Sequence, residues 1–246
     1  MEHIYQDLPG WFDSATLYKL MVDLMPNDSP SKFVEVGSWL GRSSAYLAVE
    51  IVNSKKPITL ECVDIWEDED CELYEDQHPD KVTPIYQQFI ESMRPVESCY
   101  TAKKMTSLEA AATHQNGSLD FVFIDASHEY EDVKSDIIAW YPKLKPGGVL
   151  GGDDLTWETV ANAVYEIFPA TMIYNVRPNA PYWMIIPQVG GLKGFVSDNM
   201  CMSTAVDMIR FYNNRGDKEI VDILSQRLLT SLRTDFNVSK NVYKGT

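Results

Sequence analysis

Apolar positions along residues 31–168 recur first with the spacing of a strand and then with that of a helix, several times in succession. Short apolar runs bounded by turn residues predict strands at 32–36, 58–65, 119–124 and 149–151. Between them, apolar residues at every third or fourth position predict helices at 43–52, 84–93, 107–112, 131–143 and 156–168. Strands and helices that alternate in this way indicate an α/β fold with a doubly wound, mostly parallel sheet and helices on both faces.

The two apolar segments that follow are joined differently. Residues 171–176 and 182–186 each predict a strand, and only the short connection RPNAP lies between them. Because this connection has no room for a crossover helix, the two strands must pair antiparallel. We therefore expect the mostly parallel sheet to end in a C-terminal antiparallel hairpin.

Both ends of the chain lie outside this repeating pattern. Residues 13–25 predict a short helix that Asp13 or Ser14 caps. Residues 203–211 and 218–232 predict two amphipathic helices, which could pad the domain, form the contact of a homo-oligomer or begin a further region. We expect an N-terminal helical extension at 1–30, a central domain at 31–190 and a C-terminal helical extension at 191–246.

The composition narrows the class of partner. With 36 acidic against 21 basic residues the net charge is −15, and so acidic a chain repels the phosphates of nucleic acid. The sequence contains neither a long uninterrupted apolar run nor a basic start followed by an apolar segment, so we expect no membrane span and no signal peptide. The four cysteines are scattered without a CxxC pair, which favours a reducing, cytoplasmic location.

Three aspartates follow two of the predicted strands. Asp125 ends LDFVFID, and Asp153 and Asp154 stand side by side at the end of GVLGGDD. Because the carboxyl ends of parallel strands meet at one edge of a sheet, these acids can converge there and hold a hard divalent cation. Alternatively, the acidic pair caps the next helix. One cap needs only one acid, however, and adjacent carboxylates repel unless a cation or a proton lies between them.

A glycine-containing loop, EVGSWLGRSS, follows the first strand at residues 35–44. Gly37 and Gly41 allow the backbone to approach a ligand closely, and Ser43 lies at a helix N-terminus, where free N–H groups suit a carboxylate or phosphate. Asp64 ends the second strand, where an acid commonly binds a ribose diol. The glycines could instead form only a tight turn, and Asp64 could cap the next segment. The agreement of the loop with Asp64 favours a nucleotide pocket.

With these features the chain resembles the class I S-adenosylmethionine-dependent methyltransferases over roughly residues 30–187. The loop EVGSWLGRSS, the acid Asp64, the segment LDFVFIDASHEYEDVKSDI, the turn LKPGG and the closing hairpin match that superfamily. Within it, the three aspartates are similar to the metal site of the macrocin- and catechol-type O-methyltransferases. The resemblance implies a Rossmann-like sheet of seven strands, with S-adenosyl-L-methionine as the methyl donor.

The resemblance also implies roles for single residues around the donor. Glu35 and Gly37 line its methionine part, Ser43 lies near its carboxylate, Asp64 binds its ribose, and the loop at 105–107 borders its adenine. The full set of expected donor-binding residues is Glu35, Gly37, Ser38, Trp39, Gly41, Ser43, Asp64, Thr106, Ser107 and Asp125.

For the acids, the resemblance implies an ion held by Asp125, Asp153 and Asp154, with Mg²⁺ or another hard divalent cation favoured by all-oxygen ligation. Such an ion binds two neighbouring hydroxyls of a substrate, lowers the pKa of one and orients it toward the methyl group. His128 is then placed to accept the released proton, since its ordinary pKa is about 6.5. Asp125 and His128 are the expected catalytic residues, although His128 could instead cap the helix near Glu131.

The predicted function is an S-adenosylmethionine- and metal-dependent O-methyltransferase that acts on a vicinal diol of a sugar or small natural product. Two alternatives remain: a methyltransferase of the same fold that needs no metal, and a cofactor-binding component that assists a tailoring or oxidation system. Residues 67–80 carry eight acids and form either a solvated loop or a lid. Candidate walls of the substrate pocket are Trp66, Tyr74, Trp157, Tyr182 and Trp183.

Overall fold

A computed structural model of the chain describes residues 1–67, 84–168, 173–174 and 181–185. The α-helices of this part are α1 (Ala15–Leu24), α2 (Arg42–Ser54), α3 (Ile85–Met93), α4 (Ser107–Ala112), α5 (Tyr130–Trp140) and α6 (Glu158–Ile167). The strands are β1 (Ser31–Val36), β2 (Ile58–Asp64), β3 (Tyr100–Lys104), β4 (Leu119–Ile124), β5 (Leu144–Gly152), β6 (Ile173–Tyr174) and β7 (Trp183–Ile185). Short 3₁₀ turns lie at Tyr5–Asp7, Arg94–Cys99 and Tyr141–Lys143.

The described strands form one sheet of seven in the order β3-β2-β1-β4-β5-β7-β6. Strands β1 to β5 pair parallel, and β7 pairs antiparallel with both β5 and β6. The predicted fold class, a mostly parallel seven-stranded sheet with a closing antiparallel hairpin, is confirmed. The winding of the chain reverses between β1 and β4, which opens a crevice beyond the carboxyl ends of these two strands.

Strand β3 is not predicted by the apolar pattern. Its five residues, YTAKK, are each at least partly exposed, and it pairs with β2 at the edge of the sheet. An edge strand needs no continuous apolar run, so its pattern is weak. Strand β5 is longer than the predicted 149–151, because its pairing with β4 already begins at Leu144.

Two helices differ from their predicted bounds. The α-helix expected at 131–143 ends at Trp140 and continues as a 3₁₀ turn that contains Pro142. Ile138, which fits the apolar pattern of this segment, is 58% exposed. The last described helix begins at Glu158, because the backbone before it is still extended.

Two apolar clusters cover the two faces of the sheet. Neighbouring strand residues such as Phe33 and Val34 belong to opposite clusters, as the alternation of a strand requires. Helices α1, α2 and α3 contribute to one cluster, and α4, α5 and α6 contribute to the other. Each fully buried apolar side chain contributes roughly 1.5–3 kcal/mol to the free energy of folding. These two layers fix the strand ends from which the site is built.

Some predicted features lie outside the described residues. They are the acidic segment from residue 68 onward and both C-terminal helices, at 203–211 and 218–232. Cys62 and Cys99 have free thiols, and the other two cysteines lie outside the described residues. In the ranges that the structure covers, no helix is long and apolar enough to cross a membrane.

Candidate active site

The loop after β1 crosses the loop after β4 at close range. Gly37 has a φ of +89°, and a methyl group added to it would lie 1.8 Å from the carbonyl oxygen of Asp125. The Gly37 N–H donates to the Val63 carbonyl at 2.8 Å, which ties this loop to β2 as well. Only glycine lets these three chain segments meet. Their meeting brings the predicted residues Glu35, Asp64 and Asp125 to one crevice.

Glu35 is fully buried at the end of β1. Its Oε1 accepts a hydrogen bond from the Tyr18 hydroxyl of α1 at 2.7 Å, while Oε2 accepts from Ser38 Oγ at 2.9 Å and from Ser44 Oγ. Burial raises the pKa of Glu35, and the hydroxyl donors, Ser43 among them, lower it. The carboxylate thus joins α1, the loop and α2. Its contact with the methionine part of a ligand stays a prediction.

Asp64 holds the loops after β1 and β2 together. Its Oδ2 accepts the Trp39 N–H at 2.8 Å, and its Oδ1 accepts the Trp66 N–H at 2.7 Å. The Trp66 indole donates in turn to the Trp39 carbonyl at 2.7 Å. Each carboxylate oxygen has a second lone pair, and Asp64 is only half-buried. Its contact with a ribose diol stays a prediction.

The Trp39 side chain contacts the N-terminal segment. Its ring stacks on Trp11, with ring centroids 5.8 Å apart and planes 8° apart. Gly10 has a φ of +110°, and a methyl group there would lie 3.0 Å from the Trp39 ring. Trp11 is 76% exposed, so the pair forms an aromatic surface beside the loop. The sequence pattern does not predict this role of Trp11.

Helix α2 begins directly after the loop. Its N-cap is Gly41, with a φ of +90°, so the cap offers no side-chain acceptor to the N–H groups of the first turn. A methyl group on Gly41 would lie 3.1 Å from the Met93 side chain and 3.2 Å from that of Phe89. The first turn, which includes Ser43, is therefore suited to an anionic group such as a carboxylate.

The loop before α4 is the one expected to border adenine. Thr106 caps α4: its Oγ1 accepts the Glu109 N–H at 3.3 Å, and the Glu109 carboxylate accepts the Thr106 N–H at 3.0 Å. Ser107 Oγ accepts the Trp140 indole N–H at 2.9 Å and also hydrogen-bonds the buried carboxylate of Asp136. Both residues thus have structural roles here. Their contacts with adenine stay predictions.

Asp125, His128 and Asp154 meet at the other side of the crevice. One ligand atom from each lies within 4.8 Å of the other two, and all three residues are partly exposed. His128 Nε2 lies 2.8 Å from Asp154 Oδ2 and 4.0 Å from Asp125 Oδ1. The His128 ring packs on Trp157 with 4.8 Å between ring centroids. We call these two carboxylates and the imidazole the acid–histidine cluster.

Asp153 is oriented differently from its neighbour Asp154. Its Oδ2 accepts a hydrogen bond from Ser14 Oγ at 3.1 Å, and its Oδ1 accepts the Asp154 N–H at 2.8 Å. Asp153 lines a small pocket together with Asp125 and His128, although it is not a member of the acid–histidine cluster as the described residues form it. Ser14 occupies the predicted N-cap position of α1, yet its hydroxyl donates to Asp153 and makes no capping hydrogen bond to the helix. Such a link between distant segments has no local sequence signal.

Burial and mutual repulsion determine the charges of this region. Burial, followed by repulsion from Asp153 and Asp154, raises the pKa of Asp125 well above its ordinary value. Hydrogen bonding to Asp154 raises the pKa of His128 and outweighs the opposing effect of burial. Carboxylates this close are stable together only when a proton or a cation lies among them. Two carboxylates and an imidazole are a donor set that fits a divalent metal ion.

The predicted aromatic walls are mostly part of the core. Trp66, Tyr182 and Trp183 are fully or almost fully buried, and the Trp183 indole donates to the Asp153 carbonyl at 3.2 Å. Trp157, in contrast, is 53% exposed beside His128. Tyr74 lies outside the described residues. Trp157 is therefore the candidate that the structure places at the site.

The fold and the site together define a class of protein. The strand order, the glycine loop after β1 and the acid after β2 are those of the class I methyltransferase fold. Residues 34–155 match the family model of a methyltransferase domain. This part of the chain therefore has the fold of a methyltransferase and is similar to the methyltransferase-domain family, in agreement with the class predicted from the sequence.

One relative and two solved structures are similar to parts of this chain. The protein y4gI of Sinorhizobium fredii is 30% identical over 156 residues, which are 62% of this chain but only 16% of that protein. The structure of the O-methyltransferase NovP superposes with a TM-score of 0.54 at 15% identity, covering 71% of this chain and 79% of NovP. CalS11, the TDP-rhamnose 3′-O-methyltransferase of calicheamicin biosynthesis, superposes with a TM-score of 0.51 at 15% identity, covering 72% and 78%. At such identities the two structures show a shared fold alone.

Proposed function

We propose that the chain is a divalent-metal-dependent O-methyltransferase that transfers the methyl group of S-adenosyl-L-methionine to one hydroxyl of a vicinal diol. The observation that carries the proposal is the acid–histidine cluster, which lies beside the glycine loop at the point where the winding of the sheet reverses. A methyl donor and an ion would then lie at adjacent positions of one crevice.

On the donor side, the chain's own groups suit the parts of S-adenosyl-L-methionine. The uncapped first turn of α2 suits its carboxylate, and the partly exposed carboxylate of Asp64 at the end of β2 suits its ribose. Gly37 and Gly41 keep the loop free of side chains where the backbone must approach. The donor, when bound, supplies a sulfonium methyl group that an oxygen nucleophile can attack in line.

On the acceptor side, Asp125 and Asp154 would hold a divalent cation. The ion, when bound, supplies a Lewis acid that lowers the pKa of a hydroxyl and a template for two neighbouring oxygens. The carboxylates fix its position relative to the donor loop through Gly37, whose backbone packs directly on that of Asp125. Trp157 would border the acceptor on the far side of His128.

His128 is the residue expected to accept the proton of the hydroxyl. Its distance of 2.8 Å from Asp154 and the raised pKa of its imidazole are compatible with a proton-accepting role. The same Nε2 atom is also one of the three donors of the acid–histidine cluster. The imidazole therefore has two candidate roles, as a base and as a metal ligand.

The similarity to NovP and CalS11 supports oxygen as the methyl acceptor and a sugar as one acceptor class. The test is transfer of a labelled methyl group from S-adenosyl-L-methionine to a panel of nucleotide sugars and catechols, with Mg²⁺ or Mn²⁺ and with EDTA. We expect transfer to a member with adjacent hydroxyls that EDTA abolishes and added metal restores. Transfer that survives EDTA would favour the metal-independent alternative. Donor binding without transfer to any member would favour the accessory role.

A further inference from the structure

A segment before helix α1 connects the two sides of the crevice. We call residues 8–14 the N-terminal strap, and they precede the residues that match the family model. The strap begins on the donor side, where the Arg42 guanidinium of α2 donates to the Leu8 carbonyl at 2.7 Å. It ends on the acceptor side, where Ser14 Oγ donates to Asp153 Oδ2 at 3.1 Å. The N-terminal strap is therefore fixed at both ends beside the crevice.

The last four side chains of the strap alternate between outer and inner positions. Phe12 packs on two buried tyrosine rings, one from α1 and one from α2. Ser14 is buried as well, whereas Trp11 and Asp13 are exposed. Because outer and inner positions alternate, the Trp11 indole and the Asp13 carboxylate share the outer side of the strap.

Trp11 presents an aromatic surface between the two ends of the strap. Its indole stacks on Trp39 of the donor loop with ring planes 8° apart, yet Trp11 is 76% exposed. Trp11 is three residues from Ser14, so their Cα atoms are at most about 11 Å apart. A small molecule bound beside Asp153 can therefore reach the indole.

The charge around this indole is negative. Asp13 is exposed two residues along the strap, and Asp125, Asp153 and Asp154 lie on the acceptor side. A divalent ion offsets two of these four negative charges, so the region stays negative when the ion is bound. Arg42 also contacts the strap, but its guanidinium donates to the backbone. An indole beside a carboxylate attracts a cation through its ring face and through ion pairing.

We propose that the acceptor carries an amino group, and that Trp11 and Asp13 are the specificity-determining residues that bind it. This inference rests on the proposed function, because it names the class of diol that the same crevice would methylate. The ammonium group lies on the Trp11 indole and pairs with the Asp13 carboxylate, while the adjacent hydroxyls reach the ion. An amino-bearing catechol and an amino sugar both have this chemistry, and the experiment distinguishes them.

The test is calorimetric titration of the full chain, loaded with S-adenosylhomocysteine and Mg²⁺, with two sets of diols that differ in charge. Dopamine, 4-methylcatechol and 3,4-dihydroxyphenylacetate form the catechol set, and D-glucosamine, D-glucose and D-glucuronate form the sugar set. In at least one set we expect the amine to bind roughly 3- to 30-fold more tightly than its neutral counterpart. The acid should bind most weakly, and added salt should reduce the preference for the amine.

Variants of the strap identify the groups that recognise the amine. Asp13→Asn and Trp11→Leu should each lower the ratio of amine affinity to neutral affinity by roughly 2- to 5-fold, and Trp11→Phe should retain part of the ratio. Asp7→Asn is the matched control, because it removes an exposed carboxylate just before the strap and should leave the ratio unchanged. A substitution that only loosens the strap would weaken binding of every member of a set alike.

Methyl transfer from S-adenosyl-L-methionine to the same diols separates this inference from the proposed function. If the amine binds no more tightly than its neutral counterpart in both sets, the inference is overturned, whether or not the neutral diols are methylated. Equal loss of the preference in Asp7→Asn and Asp13→Asn would also overturn it, because the overall charge would then determine the preference. Preferred binding of an amine without transfer to any member would count against the proposed function and leave the amine-binding residues standing.

Discussion

The two sides of the crevice use their carboxylates in opposite ways. On the donor side, Glu35 and Asp64 accept hydrogen bonds from hydroxyl and N–H groups of neighbouring segments. On the acceptor side, Asp125 and Asp154 lie close to each other and to His128. The first arrangement satisfies each carboxylate with donors from the protein. The second leaves a concentration of negative charge that a cation would neutralise.

This difference separates two kinds of binding residue. A hydrogen-bonded carboxylate acts through the loop that it holds in place, so its loss changes stability and donor affinity together. A carboxylate that faces other carboxylates adds little to stability, and its loss changes ion binding alone. Four substitutions test this difference, and the one at Gly37 has the largest expected effect.

Gly37→Ala should disrupt the donor side more than any other single substitution in its loops. The added methyl group would lie 1.8 Å from the Asp125 carbonyl oxygen at a φ of +89°, so we expect a loss of at least about 4 kcal/mol in the free energy of unfolding. Gly117→Ala is the matched control, because its φ is +69° and the described residues place no atom within 4 Å of the new methyl group. That variant should lose only about 1–2 kcal/mol. Equal losses in urea denaturation would contradict the close crossing of the loops.

Asp154→Asn should weaken ion binding strongly while leaving donor binding intact. Asparagine tolerates the left-handed backbone at this position, so the fold is preserved and only the charge is lost. The control is Asp120→Asn, which makes the same change at the opposite end of β4, where Asp120 pairs with Lys145. Calorimetric titration with Mn²⁺ and with S-adenosylhomocysteine measures both effects. If Asp154→Asn lost both Mn²⁺ and S-adenosylhomocysteine, the donor side and the acceptor side of the crevice would not act separately.

Asp64→Asn should have the opposite effect, because it should weaken donor binding and leave ion binding unchanged. The amide has one acceptor oxygen in place of two, so the N–H of Trp39 or Trp66 loses its partner and the loops loosen. We expect a loss of about 1–3 kcal/mol in stability, together with weaker binding of S-adenosylhomocysteine and unchanged binding of Mn²⁺. Unchanged affinity for S-adenosylhomocysteine would remove Asp64 from the donor site.

Asp136→Asn tests how burial of a carboxylate affects stability in the absence of both the methyl donor and the ion. Burial raises the pKa of Asp136 from 3.8 to about 6. The folded state therefore holds this proton more tightly than the unfolded state, so its contribution is fully present below pH 3.8 and is lost as the pH rises to about 6. The stability of wild type relative to Asp136→Asn should fall by about 2–3 kcal/mol between pH 4 and pH 7. If the free energies of unfolding of the two proteins changed with pH in the same way, burial would not raise the pKa of Asp136.

The sequence predicts the sheet well where strands are apolar on both faces. Leu119–Ile124 has both faces covered and an apolar run that only Asp120 interrupts, and its bounds are predicted without error. Tyr100–Lys104 pairs with β2 at an edge and is not predicted, because each of its residues is at least partly exposed and it has no apolar run. A strand that is buried on both faces shows an apolar run in the sequence, whereas a strand that pairs at the edge of the sheet does not.

At the site, strand-end positions are predictable and side-chain directions are not. The acids after β4 and β5 follow from the rule that parallel strands end at one edge. Which of two adjacent aspartates turns toward His128 depends on the left-handed backbone of Asp154 and on the hydroxyl of Ser14. Both are long-range consequences of folding, so periodicity along the chain carries no information about them.

Anomalous diffraction from a crystal grown with Mn²⁺ and S-adenosylhomocysteine tests most directly whether a donor and an ion bind side by side in this crevice. We predict one strong anomalous peak in bonding contact with Asp125 and Asp154, beside the nucleoside held along the loop that contains Gly37. An empty acid–histidine cluster at saturating Mn²⁺, or an ion bound only elsewhere on the protein, would contradict the proposal that this crevice joins a methyl donor to a metal-bound acceptor.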